Sequence, residues 1–130
     1  MVEGDVELGN GIKLYKTPGH SLGSQCVYFM TEFGPRIVVA DLFHFSYMMF
    51  PRASRMLTAD GEVKDITPLP EIFSPVLVNN VIYDHYAFFE SFYKIMSLVP
   101  KYEPQYFVCG HDGKVVVTGI KNDFDIGIVD

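Results

Sequence analysis

The sequence predicts an α+β domain with a mixed β-sheet and one long helix, with α/β as the neighbouring alternative. Three observations carry this. Two pairs of short extended segments with turn signals between them open the chain. One stretch with apolar residues at three- and four-residue spacing follows in the second half. A strand-like apolar run comes directly after it. The 130 residues suit a single domain, 1–130, and two independent cores are not expected.

The elements follow in order. Val2 to Leu8 has partial alternation, and Gly9-Asn10-Gly11 is a turn signal because these residues tolerate positive φ. Ile12 to Lys16 alternates apolar and polar, as a half-buried strand does. The two read as a hairpin. Thr17-Pro18-Gly19-His20-Ser21-Leu22-Gly23-Ser24 is a loop by its proline and glycines. Gln25 to Thr31 is the third strand, and Phe33-Gly34-Pro35 turns the chain into Arg36 to Ala40, a second hairpin ending at Asp41.

Phe43 to Met56 is aromatic and rich in methionine, and its pattern assigns no element. Pro51, Pro68, Pro70 and Pro75 exclude a long helix there. From about Ile82 to Leu98 a helix is predicted. Phe88, Phe89, Phe92, Ile95, Met96 and Val99 give it one wide apolar face, and Pro100 and Pro104 bound its end. Asp84 and His85 at its start read as capping and solvent-facing residues. Gln105 to Cys109 is a strand, Gly110-His111-Asp112-Gly113 a loop, and Lys114 to Thr118 a last strand candidate; Phe124 to Val129 is unassigned.

Composition narrows the function. Hydrophobic residues make up 48% and charged residues 20%, as in a folded chain rather than a disordered tail. The net charge is −6 and the ten Lys and Arg are scattered, so neither nucleic acid nor a membrane surface is an expected partner. No apolar run is long enough to span a bilayer, and the first residues lack the basic and apolar regions of a secretory signal. Cys26 and Cys109 sit in strand-like apolar runs. They read as buried thiols rather than a disulfide or metal pair, and a reducing, cytoplasmic location is expected.

Three polar residues share a context. His20, Asp41 and His111 each lie at or just past the end of a predicted strand, where loops in sheet proteins face a common cleft. Pro18 and Gly19 stiffen and shape the loop that aims His20. An ionised Asp41 at the end of a buried strand is costly unless paired or metal-bound. Two imidazoles and a carboxylate suit zinc, with iron or manganese as alternatives. Taken singly, each also has an ordinary reading as a loop histidine, a core histidine or a turn-forming aspartate.

The motifs carry a resemblance. Gly4-Asp5-Val6-Glu7-Leu8, Gly11-Ile12-Lys13-Leu14 and Thr17-Pro18-Gly19-His20-Ser21-Leu22-Gly23-Ser24 resemble the central part of the metallo-β-lactamase superfamily. Val38-Val39-Ala40-Asp41 resembles its strand ending in the metal-bridging aspartate, and Cys109-Gly110-His111-Asp112 its last ligand histidine. The match runs from about Val2 to Asp112. The resemblance implies that His20 serves a first metal, that Asp41 bridges two, and that His111 completes the second site. It implies a hydrolase acting on an ester, lactone or thioester through metal-bound hydroxide. The branch it looks most like opens N-acyl homoserine lactones, with glyoxalase-II-like thioester hydrolases close behind.

The family's upstream His-x-His-x-Asp-His motif is absent, and no His-x-His occurs anywhere in the chain. The expectation is therefore the C-terminal half of a metallo-β-lactamase-like αββα sandwich: a fragment, a subunit of a split enzyme, or a natural half-domain. A complementary N-terminal half or a second copy is the expected macromolecular partner. The alternative is a non-catalytic half-domain or homo-oligomeric interaction module. His44, Tyr47 and Asp112 are candidates for supporting roles beside the ligands. For His44 and Tyr47, packing in an aromatic loop is the competing and favoured reading; for Asp112, orienting His111 and shaping the turn weigh equally. The aromatic stretch from Phe43 to Phe50 suits an acyl pocket, a cover over the core, or a partner contact.

Overall fold

A computed structural model describes residues 4–57, 62–70, 76–78 and 81–111. Five strands form one sheet in the order β1-β2-β3-β4-β7: β1 (Val6–Gly9), β2 (Ile12–Lys16), β3 (Gln25–Thr31), β4 (Gly34–Ala40) and β7 (Phe107–Cys109). The first four are antiparallel neighbours and β7 joins β4 in parallel, so the sheet is mixed, as predicted. Gly9, Asn10 and Gly11 all have positive φ (92°, 53° and 77°), which makes the first hairpin turn open to few other residues.

The unassigned middle contains a single helical turn, α1 (Ser46–Met49), and a separate hairpin of β5 (Arg55–Leu57) with β6 (Val63–Asp65). Neither shows a clear period in the sequence. Both are too short for periodicity to register, and α1 has no side-chain cap. Leu42, Phe43 and Met49 are nonetheless fully buried, so this stretch contributes to the core.

The long helix is α2 (His85–Met96), shorter than the predicted span at both ends. Asp84 is its N-cap, with the carboxylate accepting from the Ala87 N–H at 3.1 Å. The helix starts no earlier because the Asp84 backbone is extended (φ −143°, ψ 108°), and the N–H groups of Tyr83 and Asp84 donate to Gly19 O instead. Beyond Met96 the chain continues in tight turns at Ser97, Leu98 and Val99 before Pro100. Phe88, Phe92 and Ile95 are buried; Phe89, Met96 and Val99 pack around them half-buried. Phe43 bridges helix and loop, with ring centroids 5.2 Å from Phe88 and 5.7 Å from Phe92. Each such ring stabilises the fold by about 1.5–3 kcal/mol through burial.

A parallel strand is reached by a crossover, and α2 supplies it between β4 and β7. All three residues of β7 are buried, which explains its unbroken apolar run. Cys26 and Cys109 are buried free thiols, as expected, and burial pushes the Cys26 thiol up to about 11. The predicted strand from Lys114 to Thr118, the segment from Phe124 to Val129, and Asp112 lie outside the described residues. Among the described residues, no helix is long and apolar enough to cross a membrane.

Candidate metal centre

The loop after β2 is built to aim His20. Thr17 is fully buried, its hydroxyl 3.2 Å from Cys26 Sγ, and its N–H donates to Ser24 O at 2.9 Å, closing the loop on itself. Helix α2 then grips the loop's backbone. Lys94 Nζ donates to Lys16 O (2.9 Å) and Ser91 Oγ to Pro18 O (2.6 Å). The N–H groups of Tyr83 and Asp84 donate to Gly19 O at 2.8 and 3.0 Å. Phe88, Ser91 and Lys94 recur every three residues, so one side of the helix carries the loop. The His20 ring is fixed by a contact of its own. Nδ1 lies 2.8 Å from Val81 O, and a carbonyl can only accept, so Nδ1 carries a proton. In the neutral ring that leaves the Nε2 lone pair free, the usual way an outer contact prepares a histidine ligand.

Asp41 stands at the end of β4. The register between β4 and β7 shifts between Val38 and Ala40, and Ala40 takes φ 50°, a left-handed conformation rare outside glycine. A turn bond from Leu42 N to Val39 O (3.1 Å) follows. Because Ala40 pairs with Cys109 in parallel register, Asp41 and His111 leave the same end of neighbouring strands. The His111 N–H donates to His44 O at 3.0 Å, tying the two loops together.

The three sequence-predicted residues therefore converge. His20 Nε2 is 3.7 Å from Asp41 Oδ2, and His111 Nε2 is 3.3 Å from Asp41 Oδ1. His44 joins them, with Nε2 3.8 Å from Asp41 Oδ1 and its ring centroid 4.5 Å from that of His111. Burial lowers the pKa of His44, the neighbouring His111 adds to this, and Asp41 opposes it. The neutral ring, the form that can donate a lone pair, is thus favoured.

Packing in an aromatic loop is the reading of His44 that sequence favoured, and the ring does pack, but its nitrogen also faces the carboxylate. The available signal was its spacing, three residues after Asp41 across a tight turn. Tyr47 is placed differently. It stacks on Phe45 (5.4 Å, 16° between planes), and Phe45 in turn meets His111 edge-on at 5.9 Å. Tyr47 also lines an apolar groove of about 330 Å³ with Met56, Ile66, Leu69 and Leu77. Asp84 caps α2 and His85 is exposed, as expected for both.

These residues fit a metal ion. Separations of 3.7 and 3.8 Å are too long for N–H···O hydrogen bonds. Two ligands sharing a tetrahedral ion with bonds near 2.0–2.1 Å stand about 3.3–3.4 Å apart, so the distances around Asp41 are near what co-ligands need. The half-exposed carboxylate lies where an ion can enter from solvent.

No protein-family model and no curated protein matches the sequence. Solved structures do. A quorum-quenching N-acyl homoserine lactone hydrolase aligns with 92% of this chain at 18% identity and TM-score 0.56, covering 39% of its own length. An N-acyl homoserine lactone hydrolase with the product N-hexanoyl-L-homoserine at its catalytic metal centre aligns with 85% at 21% identity and TM-score 0.50, covering 34% of its length. A mutant of Bacillus thuringiensis AiiA with N-decanoyl-L-homoserine bound at its active site gives the same figures. The likeness is one of fold, a metallo-β-lactamase-like one, as the motifs implied. The chain spans 34% to 39% of the lengths of these proteins.

Proposed function

We propose that this chain, with its metallo-β-lactamase-like fold, is the metal-binding C-terminal part of a hydrolase acting on an ester, lactone or thioester. One observation supports this above the others. His20 and His111 direct Nε2 atoms at opposite oxygens of the Asp41 carboxylate, 3.7 and 3.3 Å away. That is the arrangement a carboxylate bridging two ions requires. His20 and Asp41 Oδ2 would hold one ion, and His111 and Asp41 Oδ1 the other. Zinc suits this set, with iron and manganese as alternatives. A divalent cation so held polarises a substrate carbonyl and lowers the pKa of water.

The chain's own residues orient this site. Val81 O holds the His20 tautomer, Gly19 and α2 fix where the ring stands, and the bond from His111 N to His44 O sets the height of the His111 ring. The further ligands of a dinuclear centre come, on this reading, from a complementary N-terminal half or a second copy. The lactonases that share the fold make a lactone the first substrate to try. The buried free thiols suit the cytoplasm.

The test is metal content and hydrolysis of lactone, ester and thioester substrates with Zn²⁺ or Mn²⁺, using the chain with its completing partner. Metal per chain should fall in His20→Ala and Asp41→Ala. Unchanged stoichiometric metal in both removes the assignment. A non-catalytic interaction module is the second reading. It is favoured by Val81, Tyr83, Tyr86 and Tyr93, which stand 60% to 88% exposed on and just before α2. A monodisperse monomer by light scattering, together with turnover, would exclude it.

A further inference from the structure

We propose that His44, His111 and Oδ1 of Asp41 form a three-ligand site for one divalent transition-metal ion, complete within this chain. The proposal rests on the reading of this cluster as a metal centre and adds a ligand to it. The two oxygens of Asp41 are used differently. Among the described residues, Oδ2 faces one imidazole, that of His20, whereas Oδ1 faces two, with His111 Nε2 at 3.3 Å and His44 Nε2 at 3.8 Å. The donor atoms of Asp41, His44 and His111 all lie within 4.8 Å of one another. Two imidazole nitrogens and a carboxylate oxygen with the fourth position open is a ligand set that zinc enzymes use.

The placement of His44 is fixed rather than incidental. Its carbonyl accepts from the His111 N–H at 3.0 Å, so the two ligands move together. Its ring stands edge-on to His20 at 5.8 Å and tilted against His111 at 4.5 Å, and its side chain is 28% exposed. Ring packing alone would be met by phenylalanine, and nothing in packing requires Nε2 to face a carboxylate oxygen. The two half-sites are consequently unequal. The Oδ1 side has three ligands from this chain. Among the described residues, the Oδ2 side has two.

The test is titration of Co²⁺ into the metal-free full chain, read by the visible d–d absorption and by metal per chain after gel filtration. One Co²⁺ per chain is expected. His44→Phe keeps a ring against His111 and should weaken binding by more than the roughly hundredfold ceiling for loss of an outer contact. His44→Cys should restore one ion and add a thiolate-to-cobalt charge-transfer band, which decides the matter even where the phenylalanine variant fails to fold. His20→Ala, on the other oxygen, should retain the ion. Wild-type affinity in His44→Phe, or a cysteine variant without the band, alongside loss in His111→Ala, overturns this proposal and leaves the broader metal-centre reading standing. No Co²⁺ bound by the wild-type chain alone overturns this proposal and leaves standing the reading in which a partner completes the centre; equal binding in wild type, His44→Phe, Asp41→Asn and His111→Ala overturns both.

Discussion

Gly19 lies directly against Phe88: a β-carbon on the glycine would stand 2.6 Å from the Phe88 Cα and 2.8 Å from its Cβ. The obstacle is helix backbone, which cannot step aside. The glycine also has φ 152°, which side chains rarely adopt. Loop and helix meet here, and the next residue is His20. The hardness of this contact is what transmits the position of α2 to the imidazole.

Gly19→Ala should therefore cost about 2–4 kcal/mol of stability, the scale of overpacking joined to backbone strain. It should also weaken metal binding beyond what the stability loss explains, because the loop must lift from α2. Urea unfolding and Co²⁺ titration of the same variant check the two effects. Ser91→Ala serves as the milder comparison. It leaves Pro18 O without its hydroxyl donor, costs about 1–3 kcal/mol, and keeps the Gly19 contact intact.

Asp5 anchors the first hairpin to α2. Its Oδ1 accepts from Lys94 Nζ at 2.7 Å and from the Lys16 N–H at 2.8 Å. The hydrogen bond from Lys94 lowers its carboxyl pKa below the ordinary 3.8, partial burial opposes this, and the Lys16 N–H adds to it. A depressed carboxylate stabilises the fold at pH values above its unfolded pKa, and that contribution is lost as pH falls through the folded pKa. The stability difference between wild type and Asp5→Asn should thus be present near neutrality. It should shrink as pH drops below the ordinary carboxylate range. Both side chains are part-exposed, so the neutral-pH difference should stay within about 1 kcal/mol and decline in high salt. Chemical denaturation of the pair across pH measures it.

Ala40 occupies a left-handed conformation next to the candidate ligand Asp41. That conformation costs about 1–2 kcal/mol for a residue with a β-carbon, while glycine adds about 0.5–1 kcal/mol of unfolded-state entropy. The first effect is the larger, so Ala40→Gly should stabilise the protein by up to about 1.5 kcal/mol. Ala40→Val should destabilise it, since a branched side chain tolerates positive φ least. Thermal melts of the two variants should move in opposite directions. A shared direction would mean that this turn carries no strain.

What sequence alone settled is local in origin. The first hairpin is legible because Gly9-Asn10-Gly11 permits a turn that few residues allow, and the second because Phe33-Gly34-Pro35 separates two apolar runs. Helix α2 is legible because its apolar residues repeat at the helical period, and Asp84 marks its start. His20, Asp41 and His111 could be singled out as strand-end residues, with the Thr-Pro-Gly-His-Ser element adding specificity. Elements shorter than a period leave no such mark, and α1 and the pairing of β5 with β6 are of that kind. Tertiary structure decided the rest. Whether three histidines, numbered 20, 44 and 111, share the carboxylate of Asp41 depends on β7 pairing in parallel with β4 and on α2 seating the loop that carries His20. The same is true of His44, whose neighbours in sequence are aromatic but whose nitrogen faces Asp41. Periodicity reports which face of an element is buried; only the packing of those faces fixes the few ångströms that separate a packed ring from a ligand.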